Sequence, residues 1–282
     1  MILYDLHTHS TASDGTDSPA GLIEKAHSLG LTAIALTDHD TVKGCAEAGA
    51  AAQKAGLRFI PGVEITGREH HQLHILGLGV DVNNSDLLSA LDRCTRTRFE
   101  RTHLICEHLA KQGIILDADK INASAGNAGK PHIAREMMAL GYVSGIQEAF
   151  DRYLDTPGVN AIKKYRVPYA ETAELIHGAG GLAVLAHPYQ MKLSDAELDE
   201  FTGAFKAAGL DAIEVYYSRH TLQMAMQYLE LAGKYGLMIS CGSDYHGTVK
   251  PDIALGTGAE GSLIRLREQL QADEGRYLIN AL

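Results

Sequence analysis

The 282-residue chain has no tryptophan, only 5 phenylalanines and 7 prolines, and no long apolar run; Leu182 to Ala186 is typical. A membrane-spanning helix needs about 20 consecutive apolar residues, so no membrane association is expected. No charged-then-apolar segment of the signal type precedes Tyr4-Asp5, and we expect a cytoplasmic location. Cysteine is scarce as well. Cys45, Cys94, Cys106 and Cys241 lack zinc-ribbon spacing and lie within periodic apolar segments, which predicts reduced, buried thiols. Positive charge is the minority sign. A formal charge of −10 repels long nucleic acid, so duplex DNA is not an expected partner and small phosphorylated molecules suit the chain better. Histidine, by contrast, is abundant, with 14 copies.

A hydrophobic content of 45% is enough to bury a full core, in one barrel-sized domain with an insertion or in two modest domains. Short β-type runs alternate with helical ones. Strands are expected at Ile2 to Leu6, Ala33 to Leu36, Arg58 to Ile60, Val63 to Thr66, Leu73 to Leu78, Leu182 to Ala186, Ala212 to Tyr216 and Leu237 to Cys241. A helix opens at Ser18-Pro19, where serine can cap and proline lose no hydrogen bond, and an Ala-rich helix covers Val42 to Ala55. Such alternation implies an α/β fold with a mainly parallel sheet, open or closed into a barrel. Between Asn84 and Tyr165 the pattern is helical: Leu87 to Gln112, Pro131 to Leu140 and Ser144 to Leu154. We read residues 1–84 and 166–282 as the barrel and 85–165 as a small helical insertion, its Asn122-Ala123-Ser124-Ala125-Gly126-Asn127 loop suiting a flexible cap over the substrate.

Nearly every expected strand ends in, or carries, an ionisable side chain. His7 and His9 stand two apart after the first strand, so in extended chain both leave one face, and Asp14 follows in a Ser-Asp-Gly turn. The second strand runs into Asp38-His39-Asp40, Glu64 and His74 interrupt apolar strands, and the late strands run into His187, into Ser218-Arg219-His220 and into Asp244-Tyr245-His246. Catalytic groups gather at the C-terminal strand ends of α/β barrels, because loops vary there without disturbing the core. Imidazole mixed with carboxylate suits manganese, zinc or iron. His7, His9, Asp14, His39, Glu64, His74, His187, Asp244 and His246 are too many ligands for one ion, and predict two or three divalent cations. Neighbouring cations stabilise the entering and leaving oxygens of a displacement at phosphorus and make hydroxide available near neutral pH, so the implied reaction is phosphoester hydrolysis by a hydroxide bridging the metals.

Four motifs, His7-Thr8-His9-Ser10 with Asp14-Gly15, Thr37-Asp38-His39-Asp40, Ala186-His187-Pro188 and Gly242-Ser243-Asp244-Tyr245-His246, resemble those of the PHP (polymerase and histidinol phosphatase) family, in family order. The resemblance implies a distorted (β/α)7 barrel of PHP type with a metal cluster, manganese before zinc or iron, at the strand C-termini. It implies that His7, His9, Glu64 and Asp244 hold one metal and that Asp14, His39 and His246 surround another. His74 and His187, sharing Glu64, would serve a third site or the substrate. Within the family, Val63-Glu64-Ile65-Thr66, His74-Ile75-Leu76-Gly77 and Lys130-Pro131-His132-Ile133-Ala134-Arg135 look like the branch of 3′,5′-nucleoside bisphosphate phosphatases and 5′-to-3′ exoribonucleases.

That branch implies removal of the 3′-phosphate from small nucleoside bisphosphates, with short 5′-phosphorylated RNA as a further substrate. The non-reacting phosphate then needs cations. Arg101, Lys130, His132 and Arg135 in the insertion, with Ser218 and Arg219 beside a late strand, are the candidates, arginine being preferred for its paired hydrogen bonds. Asp40 or His187 would protonate the departing oxygen, although Asp40 can also cap the next helix. His27, His70, His71, His103, His108, His177 and His220 are assigned no role. The competing readings are a histidinol-phosphate phosphatase, a metal-dependent amidohydrolase and a non-catalytic metal-binding module.

Overall fold

The computed structural model describes residues 4–123, 128–163, 165–256 and 276–282. In chain order its strands and α-helices are β1 (Tyr4–Asp5), α1 (Pro19–Ser28), β2 (Ala33–Leu36), α2 (Cys45–Ala55), β3 (Arg58–Thr66), β4 (His74–Leu78), α3 (Ser85–Ala110), α4 (Ala118–Ala123), α5 (Lys130–Ala139), α6 (Ile146–Ala149), α7 (Pro157–Ala161), α8 (Tyr169–Gly178), β5 (Leu182–Leu185), α9 (Asp195–Ala207), β6 (Ala212–Tyr217), α10 (Leu222–Tyr235) and β7 (Met238–Gly242). Two compact units result, Met1–Ser89 with Val167–Leu282, and Ala90–Arg166.

The first unit is a seven-stranded sheet in sequential order, β1 to β7. It closes almost into a barrel: Leu6 N donates to Cys241 O at 3.1 Å, and Thr8 bridges Tyr245 in parallel. Helices α1 and α2 cover β2 through Leu22, Ile23, Ala48 and Ala52, all buried against Ile34 and Leu36. Ser18 caps α1, its hydroxyl accepting the Gly21 N–H, with Pro19 in the first turn. Helix α2 begins only at Cys45.

The expected pair of strands at 58–60 and 63–66 is one strand, β3, whose partner changes along its length. Arg58 to Pro61 pair parallel with β2, and Gly62 to Thr66 pair antiparallel with β4. Pro61 stands at the changeover, where its missing N–H interrupts neither ladder. Strand β4 runs antiparallel to both β3 and β5, a departure from the mainly parallel sheet read from alternation, while the other four pairings are parallel. The cause is the connection 67–73, shorter than the dozen or so residues a parallel crossover needs. The register sets Thr66 opposite His74 and Glu64 opposite Leu76, so Glu64, Thr66 and His74 share one face.

The described regular elements of the second unit are all helical, packed on Ile105, Leu109, Ile121, Ile133, Met137 and Leu154. The segment read as a helix over 144–154 is α6 followed by a π-helical turn, Phe150–Leu154. Of the stretch expected to be a flexible loop, Asn122 and Ala123 end α4 and 124–127 lie outside the described residues, as do Ile2 and Leu3 of the first expected strand. All four cysteines are free and buried. No helix among the described residues is long and apolar enough to cross a membrane.

Candidate metal centre

The segments following β1 and β7 are laced together before any ligand is placed. Asp244 N donates to His7 O at 2.8 Å and His9 N to Tyr245 O at 2.9 Å. Behind them the buried Asp5 carboxylate accepts the N–H groups of His7 (3.2 Å), Ser243 (2.9 Å) and Gly256 (2.8 Å). Asp38 accepts the Ser10 N–H at 2.8 Å and the hydroxyls of Ser10 and Ser13 at 2.7 and 2.6 Å, fixing the His-x-His loop from its other end. Backbone strain is concentrated here: among the described residues, three of the four non-glycine residues at positive φ are Asp40 (52°), His187 (24°) and Asp244 (58°). Gly242 is required by close approach, since a Cβ there would stand 2.3 Å from His7 Cβ.

Glu64 is the hub. Its Oε2 lies 3.0 Å from His39 Nδ1, 3.1 Å from His9 Nε2 and 3.3 Å from His7 Nε2, and its Oε1 lies 2.8 Å from His74 Nδ1 and 3.0 Å from His187 Nε2. One fully buried carboxylate is thus ringed by five imidazoles. Burial pushes the Glu64 carboxyl up, but His39, His74 and His7 pull it down harder, to well below the ordinary carboxylate range. Asp244 is held low in the same way, burial being outweighed by Lys250, His9, His7 and His246. Burial lowers His7 and His9, yet the surrounding carboxylates win and raise both, His9 to about 9; at His39 burial wins and lowers it to about 3.

Among the described residues there are three groups whose donor atoms all lie within 4.8 Å of one another: His7, His9, Glu64 and Asp244; His9, Asp14, His39 and His246; and His39, Glu64 and His74. The first set is the one the family resemblance implies, the second gains His9, and in the third His39 takes the place expected of His187. His187 instead hydrogen-bonds Glu64 Oε1 through Nε2. The donor set fits cations for a reason visible in the hydrogen bonding. His7 Nε2, both ring nitrogens of His9, Glu64 Oε2 and His187 Nδ1 are buried and make no hydrogen bond. Buried polar atoms are rarely left so, and a cation would take the lone pair that one ring nitrogen of a neutral imidazole and the Glu64 carboxylate can offer.

A second layer holds the candidate ligands, and most of it is absent from the sequence reading. Glu214 Oε1 accepts from His7 Nδ1 at 3.1 Å while its Oε2 accepts the His187 N–H at 2.7 Å. The Tyr217 hydroxyl (2.8 Å) and Lys250 Nζ (2.6 Å) donate to Asp244 Oδ2, and His246 Nδ1 to Asp244 O at 2.8 Å, leaving His246 Nε2 3.3 Å from Asp14 Oδ1. Asp40 does not cap α2. Its Oδ1 accepts the Thr66 N–H at 3.0 Å and its Oδ2 the Thr66 hydroxyl at 3.3 Å, so it secures the end of β3. A carboxylate at Glu214, flanked by Ile213 and Val215, is the same signal that singled out Glu64.

The expected substrate residues are dispersed in their bonding. Arg219 is paired with Asp252 at 2.8 Å, and the Ser218 hydroxyl is buried without a hydrogen bond. In the second unit Lys130 binds Asp155 (2.9 Å) and Asn160 (2.8 Å), His132 Nδ1 accepts the Gly129 N–H at 3.2 Å, and Arg135 is exposed. Arg101 Nε donates to Ile162 O at 2.7 Å, and burial followed by the charges of Arg166 and Arg98 lowers its pKa, which marks a cluster of three guanidinium groups.

A family model described as the PHP domain matches residues 5–230. The 5′-3′ exoribonuclease Rnm of Escherichia coli (strain K12) is 34% identical, with 98% of each chain covered. The 3′,5′-nucleoside bisphosphate phosphatase of Chromobacterium violaceum is 35% identical over 253 residues, 87% of this chain and 88% of that protein. A crystal structure from Bifidobacterium adolescentis, described as an inferred metal-dependent phosphoesterase, superposes with a TM-score of 0.76 at 31% identity and covers 98% of each chain. The family match takes in the His7–His9 loop, Glu64 and His187 in one stretch, and relatives above 30% identity extend over nearly the whole length: the chain belongs to the PHP domain family.

Proposed function

We propose that the chain is a phosphomonoesterase that removes the 3′-phosphate from nucleoside 3′,5′-bisphosphates, and that it also acts on short 5′-phosphorylated RNA. The observation that carries this reading is the buried Glu64 carboxylate among five imidazoles, with Asp14 and Asp244 completing adjoining ligand sets. Similarity to a bisphosphate phosphatase and to an exoribonuclease, each over most of both chains, supports the two substrate classes. Two or three divalent cations there, manganese by our reading, would supply an activated water and neutralise the phosphoryl oxygens.

The chain's own contribution is positioning and charge. His7, His9 and Asp244 are held by backbone hydrogen bonds between the ends of the first and last strands, so the donor atoms are preorganised. His187 is the better proton donor to the departing ribose oxygen: its Nδ1 makes no hydrogen bond, whereas both Asp40 carboxylate oxygens accept from Thr66. The guanidinium cluster of Arg98, Arg101 and Arg166, with the exposed Arg135, has the chemistry that grips a second phosphate.

The test is phosphate release from adenosine 3′,5′-bisphosphate, AMP, histidinol phosphate and a short 5′-phosphorylated RNA, with product identification. The bisphosphate should yield the 5′-monophosphate, and Arg101→Ala or Arg135→Ala should raise KM for the bisphosphate much more than for a monophosphate. Preferred release from histidinol phosphate, or equal losses on both nucleotides, would overturn the substrate assignment.

A further inference from the structure

Strand β6 is irregular beside the metal centre. Against β7 it pairs Ala212 with Met238, Ile213 with Ile239 and Glu214 with Ser240, then resumes with Tyr216 opposite Cys241 and Tyr217 opposite Gly242. Val215 is therefore an extra residue, a β-bulge. Side chains of a regular strand alternate, so Glu214 and Tyr217, three apart, would leave opposite faces. One inserted residue brings them to the same face. The contacts agree: Glu214 reaches His7 and the His187 N–H, and Tyr217 reaches Asp244. Tyr216, which regular alternation would have set beside Glu214, stacks instead on Tyr277.

A bulged residue has no partner across the ladder, and its polar groups need another. Val215 O is 2.8 Å from His220 Nδ1, on a ring that is buried and seated among Tyr189, Tyr217 and Tyr228. His220 thus stands apart from the other histidines left without a role. Neither Glu214 nor His220 belongs to any ligand group among the described residues.

We propose that the β6 bulge, secured by His220, is a positioning device that sets the cation affinity of the centre through Glu214 acting on His7 and Tyr217 acting on Asp244. With Nδ1 held by Glu214, His7 is left to offer Nε2, 3.3 Å from Glu64 and 3.7 Å from Asp244, to a cation that displaces its proton. With Oδ2 occupied by Tyr217 and Lys250, Asp244 presents Oδ1 to His7, His9 and His246. These are positioning residues: they fix which atom each ligand offers. The inference rests on the reading of the cluster as a metal centre and is independent of the substrate.

The experiment is calorimetric titration of Mn2+ into the metal-stripped full chain, with thermal unfolding of each stripped variant alongside. Glu214→Gln and Tyr217→Phe should each weaken Mn2+ binding by about 10- to 100-fold while the stripped variants unfold within a few degrees of the unaltered chain. His220→Ala should weaken it similarly. His220→Asn, whose amide can donate near the Nδ1 position, should recover most of the loss, which a purely structural role would not predict. Affinity unchanged in Glu214→Gln and Tyr217→Phe, or lost only in proportion to lost folding, would overturn the proposal. No Mn2+ binding by the unaltered chain would overturn the metal centre and the proposal with it.

Discussion

Glu64→Gln removes one charge from the middle of five imidazoles while keeping the side chain's size and one acceptor oxygen. Among the described residues Glu64 belongs to two of the three candidate ligand groups, so its charge would act on more than one cation. Opposite unit charges about 4 Å apart attract by about 4 kcal/mol at an effective dielectric constant near 20, and a divalent ion doubles that figure. Rearrangement of water and neighbouring imidazoles recovers part of it. Even a residual of about 2 kcal/mol lowers affinity roughly thirtyfold, and the full single-charge value about a thousandfold. The assay is Mn2+ titration of the stripped variant, with bound ions counted by mass spectrometry and folding checked by circular dichroism. A folded Glu64→Gln protein that binds the same number of ions within about threefold of the unaltered affinity would show that the Glu64 charge does not hold the cations.

Further outcomes follow from the same geometry. His9 is raised from 6.5 to about 9 and His7 is raised well above its ordinary value, so both carry protons at neutral pH in the stripped protein, and cations must displace them. Mn2+ binding at pH 7.5 should release protons, read as a buffer-dependent calorimetric heat; a heat independent of buffer contradicts this. A raised folded pKa gives stability that is complete below the unfolded value and lost as pH rises through the folded one, so His9 predicts that the stripped protein loses stability between pH 6.5 and about 9. Gly242→Ala forces a Cβ to within 2.3 Å of His7 Cβ and should cost about 1–3 kcal/mol in urea denaturation as well as weaken Mn2+ binding. His187→Gln should lower kcat by about 100-fold or more, while Asp40→Asn, which keeps an acceptor for Thr66, should lower it by less than about tenfold.

Most of the candidate ligand set was legible because each member breaks a local pattern: His74 within an apolar strand, Glu64 between β-branched neighbours, His187 and Asp244 just beyond apolar runs. Glu214 carries the same signal, but it faces His7 and the His187 N–H and joins no candidate ligand group among the described residues, a distinction that depends on which side chain lies across the barrel at 3.1 Å. The direction of β4 was hidden because strand periodicity is the same in parallel and antiparallel pairs; the short 67–73 connection was the available clue. The β6 bulge was hidden for a related reason, since alternation in Ala212 to Tyr217 fails only relative to its β7 partner. Asp40 illustrates a further limit: an aspartate before a helix suggests a cap, and only the fold shows that Thr66 claims it.

The most direct test is phosphate release from adenosine 3′,5′-bisphosphate by the chain stripped of metal and then resupplied with Mn2+. We expect no release without the ion, restoration on its return with two or three ions bound per chain, and no restoration in His7→Ala or Asp244→Ala. Full activity after stripping, or undiminished activity in either variant, would contradict it.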